Sequence, residues 1–216
     1  MGWFGPSKDE VWRQLSQEIG AEFVEGGLWK GNKVQAHVKP WTITLDTYTV
    51  STGKSSVTYT RMRAPYINPE GFRFTIYRKS IFNDLGKFLG MQDIEVSDPD
   101  FDEAFIIKGN DDSKVQSLFS DSTIRQMIQD QPGIRLEVKD SEGWFGPKFP
   151  EDVDEMSFQF VGVIKDVERL KALFDLFAAV LDQLCQIGSA YKQEPGSRCE
   201  TISWRSVGTW PRPPPP

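Results

Sequence analysis

Two stretches of the chain carry hydrophobic residues at the spacing of an amphipathic helix. The first stripe follows Ser7, which has Glu10 at capping-box spacing, and it ends before Gly20. The second follows Asp166 and continues for about six to seven turns of roughly 3.6 residues each. The stripe positions are Val11, Trp12, Leu15 and Ile19 in the first stretch, and Val167, Leu170, Phe174, Phe177, Leu181 and Leu184 in the second. The pattern therefore predicts an N-terminal helix and a long C-terminal helix.

Between residues 21 and 79 the hydrophobic period changes to two, which is typical of half-buried strands. Trp41, Ile43 and Leu45 alternate with polar residues, and so do Phe72 and Phe74. Turn-forming runs, such as the glycine pair at 26–27 and Asn-Pro-Glu-Gly at 68–71, divide this stretch into four or five strands. The simplest arrangement is an antiparallel meander.

The rest of the pattern predicts shorter elements. Helices are predicted over residues 80–89, 112–119 and 121–131, and strands over 134–139 and 156–164. Phe101 and Phe105 share a helical face ahead of a short strand that starts at Ile106. We therefore predict the α+β class, with an antiparallel sheet of about six or seven strands packed by the N-terminal helix and the long C-terminal helix. Residues 1–192 form one domain, and 193–216 form an irregular proline-rich tail.

Composition narrows the classes of partner. The net charge of -6 and the pI near 5.0 disfavour general binding to nucleic acid or an anionic membrane, because phosphate groups attract basic surfaces. No apolar run reaches the roughly 18 residues that a membrane span needs. Two cysteines are too few for a disulfide framework. We expect a cytoplasmic protein with no membrane span and no nucleic-acid partner.

Patterns that resemble catalytic or metal sites are incomplete. Residues 52–55, Thr-Gly-Lys-Ser, lack the first glycine of a phosphate-binding loop and favour a hairpin turn. His37 is the only histidine, so the sequence offers a single imidazole for a histidine-ligated metal site or a Ser-His-Asp arrangement. Residues 71–77, GFRFTIY, partly match a base-stacking RNA-recognition strand, although their aromatics suit a core equally well. We predict no catalytic residue, no metal and no cofactor.

The pentapeptide GWFGP occurs twice, over residues 2–6 and 143–147. Different sequences follow the two copies, so they are repeated local structures rather than remnants of a duplicated domain. Each copy predicts a Gly-Pro turn that presents two adjacent aromatic residues. Our hypothesis is that the copies are equivalent aromatic clips, which either dock on the same molecule or compete for one groove in a neighbouring copy. The candidate partner-binding residues are Trp3, Phe4, Trp144 and Phe145 in the pentapeptides, and Trp204, Trp210 and Pro213 in the tail.

Three classes of function stay open. The leading one is a non-catalytic protein-binding or scaffolding module, which includes self-association through the long helix, because Leu173, Leu176 and Val180 widen its apolar face beyond a narrow stripe. Covering the sheet is the other interpretation of that wide face. The second class is a carrier of a small apolar ligand held between sheet and helix. The third is a carboxylate-dependent enzyme that would use Asp98, Asp102, Glu151 or Asp154.

Residues 98–111 add a resemblance to a known family. Asp98, Pro99, Phe101, Phe105, Ile107, Gly109 and Asp111 resemble the Asp-Pro-x-Phe-x-x-x-Phe-x-Ile-x-Gly-x-Asp signature of an uncharacterised bacterial domain family. The resemblance covers about residues 93–190, and helical turns follow the signature in both. Some relatives carry transmembrane helices ahead of this domain, from which this chain departs. The resemblance implies the fold and a bacterial origin, and it brings neither an activity nor a ligand.

Overall fold

A computed structural model describes residues 5–27, 31–38, 40–51, 53, 55–80, 93–141 and 149–191. These residues contain one eight-stranded antiparallel sheet and five helices. The strands are β1 (Glu22–Val24), β2 (Lys33–Val38), β3 (Trp41–Ser51), β4 (Ser56–Ile67), β5 (Phe74–Arg78), β6 (Phe105–Gly109), β7 (Arg135–Lys139) and β8 (Val153–Val161). The helices are α1 (Lys8–Ile19), α2 (Pro99–Ala104), α3 (Asp112–Phe119), α4 (Ser122–Gln129) and α5 (Val167–Gln186). The predicted α+β class is confirmed, and the sheet has one strand more than the upper end of the prediction.

Helix α1 begins and ends where the sequence pattern places it. The Oγ atom of Ser7 accepts a hydrogen bond from the Glu10 N–H (3.2 Å), and the Glu10 carboxylate accepts one from the Ser7 N–H (2.7 Å). This capping box satisfies two N–H groups at the start of the helix. Gly20 ends α1 with φ 64°, a left-handed conformation that glycine adopts without a Cβ clash.

The strand order is β1-β2-β3-β4-β8-β7-β5-β6. Strands β1 to β4 form the predicted meander, and Ser51 faces Ser56 across the predicted hairpin at residues 52–55. The meander prediction is wrong for β5, which lies between β7 and β6, because β8 occupies the place beside β4. A period of two determines which side chains share a face, but it carries no information about which strand is the neighbour.

One hydrophobic core lies on a single face of the sheet, and each of the five helices contributes buried side chains to it. The wide apolar face of α5 is used within the chain. Leu173, Phe174, Phe177, Val180 and Leu181 are all fully buried. This arrangement confirms the interpretation in which the long helix covers the sheet.

Phe72 and Phe74 of GFRFTIY belong to the same core. Phe72 and Phe74 are each 2% exposed, and the ring of Phe74 meets Phe119 of α3 edge-on with centroids 5.5 Å apart. Neither ring is open to stack on a base, so the base-stacking interpretation is wrong. Phe105 also differs from the prediction, since it begins β6 instead of ending α2, although its ring still contacts Phe101 at 4.7 Å between centroids.

Two further predictions concern the helices. The helix predicted over residues 80–89 lies outside the described residues except for Ser80. Among the helices of the described ranges, none combines the length and the apolar character needed to cross a membrane.

Candidate functional site

A cleft of about 210 Å³ opens at the end of the sheet where β8 begins. One wall is the turn between β4 and β5, and the other is the stretch that leads into β8. Pro69, Phe149 and Pro150 give the cleft apolar surface, and Arg73 and Asp154 give it a charged floor.

Asn68 joins the two walls. Its backbone N–H donates to the carbonyl of Asp152 (2.7 Å), and its side chain both donates to the Phe72 carbonyl (2.8 Å) and accepts from the Phe72 N–H (3.2 Å). The same side-chain amide donates to Oδ2 of Asp154 at 2.6 Å. Asn68 is 3% exposed, so these bonds are shielded from water. The turn is therefore fixed to the start of β8.

Arg73 closes the floor of the cleft. Its Nε lies 3.1 Å from Oδ2 of Asp154, and its Nη1 lies 3.1 Å from Oδ2 of Asp140. The Asp154 side chain is only 4% exposed, whereas the Arg73 side chain is 41% exposed. Asp154 is thus a buried carboxylate held by an amide and a guanidinium, which is the arrangement that a buried charge requires.

Asp140 and Phe149, which lie on either side of the second GWFGP copy in the chain, both line the cleft. The Phe149 N–H donates to the Asp140 carbonyl (3.0 Å), and this bond brings together the two ends of the loop over residues 141–148. Asp152 has φ 62°, a left-handed conformation that costs a non-glycine residue about 1 kcal/mol. The hydrogen bond from Asn68 to the Asp152 carbonyl holds this strained residue in place.

The charge of the cleft is negative. Its lining contains the carboxylates of Asp140, Glu151, Asp152 and Asp154 and one guanidinium, that of Arg73, so the formal sum is -4 + 1 = -3. Glu151 and Asp152 are exposed at the rim, next to Phe149 and Pro150. Exposed carboxylates beside flat apolar side chains can bind an arginine or lysine by charge and by contact along its aliphatic stem.

A second polar surface covers the sheet face opposite the core. Asp46 accepts two hydrogen bonds from Arg61 (2.9 Å each) and one from Arg63 (2.8 Å). Glu155 lies 3.8 Å from Arg63 and 3.3 Å from Lys139. These five residues, which we name the charged network, alternate in sign across β3, β4, β8 and β7. Each of its carboxylates lies between two cations, so the network stabilises its own charges.

The carboxylates considered for catalysis do not form a shared site. Asp98 caps α2 by accepting from the Phe101 N–H (3.2 Å) and pairs with Arg125 (2.9 Å). Asp102 accepts from the backbone N–H groups of Val96 (2.9 Å) and Asp98 (3.3 Å). Glu151 and Asp154 instead lie at the cleft. The structure thus uses the first two in a helix cap and a loop, and brings only the latter two together.

Asp154 and Glu155 are adjacent buried acids, yet they do not form a carboxylate pair. Side chains alternate along a strand, so Asp154 shares the core face with Met156, and Glu155 lies on the charged-network face. Burial raises the pKa of Glu155, and the neighbouring Lys139 and Arg63 oppose this with a smaller effect. The two acids are therefore separated by the sheet itself.

The remaining reactive residues take ordinary places. His37 is exposed on β2, with its Nδ1 3.1 Å from the Thr42 hydroxyl. Cys185 is half-buried on α5. Among the described residues, no group of three or more histidine, cysteine, aspartate or glutamate side chains is placed to hold a metal ion.

All seven predicted partner-binding residues lie outside the described ranges. They are Trp3, Phe4, Trp144, Phe145, Trp204, Trp210 and Pro213. The structure describes the residues that flank them. Ser141 and Phe149 are the described residues on either side of the second pentapeptide, and Phe149 lines the cleft. Tyr191, which precedes the proline-rich segment, donates its N–H to the Ile67 carbonyl (3.3 Å).

Sequence reasoning missed Asn68, Arg73 and Asp140 as parts of a site. Asn68 carried a signal only for a turn, and Arg73 only for a polar position in a strand. Their convergence on Asp154 depends on the placement of β8 between β4 and β7, which no local motif specifies. Asp154 itself was named among candidate acids, but its burial was not foreseen.

Comparison with known proteins adds no family to this geometry. No family model, no curated protein and no solved structure matches the chain. The resemblance drawn from residues 98–111 therefore remains a prediction, and function is inferred from the chemistry of the cleft.

Proposed function

We propose that the protein is a non-catalytic binding module that takes a basic segment of a partner protein into the cleft beside Arg73 and Asp154. One observation carries the proposal. The exposed carboxylates of Glu151 and Asp152 lie next to the apolar side chains of Phe149 and Pro150, around a floor whose own charges are already paired. A preformed acidic and apolar rim suits an arginine or lysine flanked by proline or aromatic residues.

The geometry of Asp154 favours binding over catalysis. Asn68 and Arg73 both donate to its carboxylate, so it serves as a buried counter-charge for Arg73. A general base instead needs an oxygen that can reach a substrate proton. Glu155, the other buried acid among the described residues, lies on the opposite face of the sheet.

The predicted aromatic contacts belong to the same proposal. Trp144 and Phe145 lie between Asp140 and Phe149 in the chain, so they would add aromatic anchors to the cleft surface. The partner is another protein or a second copy of this chain. A bacterial cytoplasmic setting is part of the proposal.

A displayed library of random short peptides, panned against the full chain, tests the proposal. We expect enrichment of peptides with arginine or lysine next to proline or an aromatic residue. Glu151→Lys should weaken their binding about tenfold, because a rim attraction becomes a repulsion. Glu103→Lys is the matched control, since Glu103 is an exposed acid on α2 outside the cleft. No enrichment, or equal losses in both variants, would contradict the proposal.

A further inference from the structure

Tyr191, the last described residue before the proline-rich segment of residues 192–216, lies near the cleft. The Tyr191 N–H donates to the carbonyl of Ile67 (3.3 Å), and Ile67 precedes Asn68 in one wall of the cleft. Ile67 also pairs with Val153, which lines the other wall. Because the backbone N–H of Asn68 bonds Asp152, the Ile67 carbonyl points to the side of β4 away from β8, so Tyr191 lies across β4 from β8 and the segment starts about one strand spacing from the cleft.

The segment and the cleft carry opposite charges. The segment contains four basic and two acidic residues, so its formal sum is +4 - 2 = +2. They are Lys192, Arg198, Arg205 and Arg212, and Glu194 and Glu200. From residue 201 onward the only charged side chains are those of Arg205 and Arg212, and tryptophan and proline residues lie near them in the chain. This composition is the one that suits a rim of Glu151, Asp152, Phe149 and Pro150.

The segment is long enough to return to the cleft. Arg205 lies 205 - 191 = 14 residues beyond Tyr191, and Arg212 lies 212 - 191 = 21 residues beyond it. A flexible chain of these lengths has a root-mean-square span of roughly 20 to 25 Å. Such a tether gives an effective concentration in about the millimolar range. Binding within one chain therefore needs only weak contacts.

We propose that the proline-rich segment binds the cleft of its own chain. Arg205 or Arg212 pairs with Glu151 and Asp152, and the neighbouring prolines pack in an extended conformation on Phe149 and Pro150. This inference rests on the proposed function, because both place a basic segment in the same cleft. It adds that the chain carries its own competitor, which a partner protein must displace.

A paramagnetic label in the segment of the full chain tests this directly. The label is attached at Thr209→Cys in a chain that also carries Cys185→Ala and Cys199→Ser, and the backbone amide signals of the cleft are recorded without any peptide. We expect amides over residues 68–73 and 149–154 to lose most of their intensity. Since the label is tethered in every variant, the difference between variants measures docking.

Charge reversal supplies that difference. Glu151→Lys in the cleft should restore the cleft signals, and so should Arg205→Glu with Arg212→Glu in the segment. Glu103→Lys should leave the signals weak. A chain that carries Glu151→Lys together with Arg205→Glu and Arg212→Glu should lose the signal intensity again, because the attraction is re-formed with the charges exchanged. Equal broadening in all variants overturns the inference. Broadening only when labelled and isotope-enriched chains are mixed also overturns it, and shows binding between copies. If the segment stays away from the cleft while library peptides still bind there, the proposed function stands without this inference.

Discussion

Asn68 donates a 2.6 Å hydrogen bond from its side-chain amide to Asp154, a residue 86 positions away in the chain. The bond joins the turn before β5 to the start of β8, two strands that β7 separates in the sheet. Both residues are buried, at 3% exposure each. Asn68 directly follows β4, whose last pair with β8 is Ile67 opposite Val153, so this side-chain bond extends the pairing of β4 and β8 into the cleft.

Asn68→Ala should lower the free energy of unfolding by about 2 to 4 kcal/mol, because it removes three side-chain hydrogen bonds, one of them to a buried carboxylate. Urea unfolding at neutral pH measures the loss. The matched control is Asn110→Ala, which removes two bonds at an exposed turn and should cost about 1 kcal/mol or less. Equal losses in the two variants would show that Asn68 has no special role.

Glu155→Gln should gain stability relative to the natural chain as pH rises. Burial raises the pKa of Glu155 above its ordinary value of 4.5. At pH values between the ordinary pKa and the raised pKa, the folded state therefore binds more protons than the unfolded state. Its contribution to stability is then fully present below the unfolded pKa and is lost as pH rises through the folded pKa. Glutamine cannot ionise and escapes this loss. Urea unfolding over a pH series from about 4 to neutrality measures the difference.

Glu10→Gln provides a comparison of opposite sign. Hydrogen bonds from Ser7 lower the pKa of Glu10, so its contribution to stability is present above the unfolded pKa and is lost as pH falls. The penalty of Glu10→Gln should therefore be greatest near neutral pH and fade in acid. If both variants followed the same trend with pH, burial would not be what governs Glu155.

The parts of the fold that sequence predicts are those encoded by neighbouring residues. Ser7, Glu10 and Gly20 specify the bounds of α1 through side chains and backbone conformations within a few residues. The hairpin between β3 and β4 is equally local. The insertion of β8 beside β4 is different, because the backbone hydrogen bonds that join Thr60 to Phe160 would look the same for any neighbouring strand. Such long-range pairing leaves little trace in one sequence.

The cleft was even harder to predict from the sequence than the strand order. An acidic run that contains Asp154 usually indicates a solvated loop, since buried carboxylates are rare without a partner. Only the fold brings Arg73 and Asn68 to this carboxylate and makes its burial possible. The second GWFGP copy, predicted to lie in a loop, falls outside the described residues, and nothing in its sequence indicated that Asp140 and Phe149 on either side of it border a cleft.

Gly109→Ala should destabilise the protein by about 1 to 3 kcal/mol through overpacking. A Cβ atom at this position would lie 2.6 Å from Cγ2 of the fully buried Val115 and 3.3 Å from the carbonyl oxygen of Arg73. This close approach also gives a physical reason for the glycine in the signature at residues 98–111. Gly27→Ala is the control, because its Cβ would meet nothing within 4 Å. Comparable melting temperatures for the two variants would contradict the packing argument.

The two GWFGP copies should act independently, because they join the fold at opposite ends of β8. Trp12, in the helix that follows the first copy, donates its indole N–H to Ile164 just after β8 (3.2 Å), whereas the second copy precedes β8. The 9 residues of β8 span about 30 Å at roughly 3.3 Å each.

If the copies are clips, Trp3→Ala with Phe4→Ala should lower the melting temperature or shift the oligomer mass and leave peptide binding at the cleft unchanged. Trp144→Ala with Phe145→Ala should instead weaken that binding by about tenfold or more, as expected for aromatic anchors. Thermal melting, light scattering and peptide titration of both pairs would separate these effects, and unchanged melting and mass in the first pair would end the clip hypothesis for the N-terminal copy.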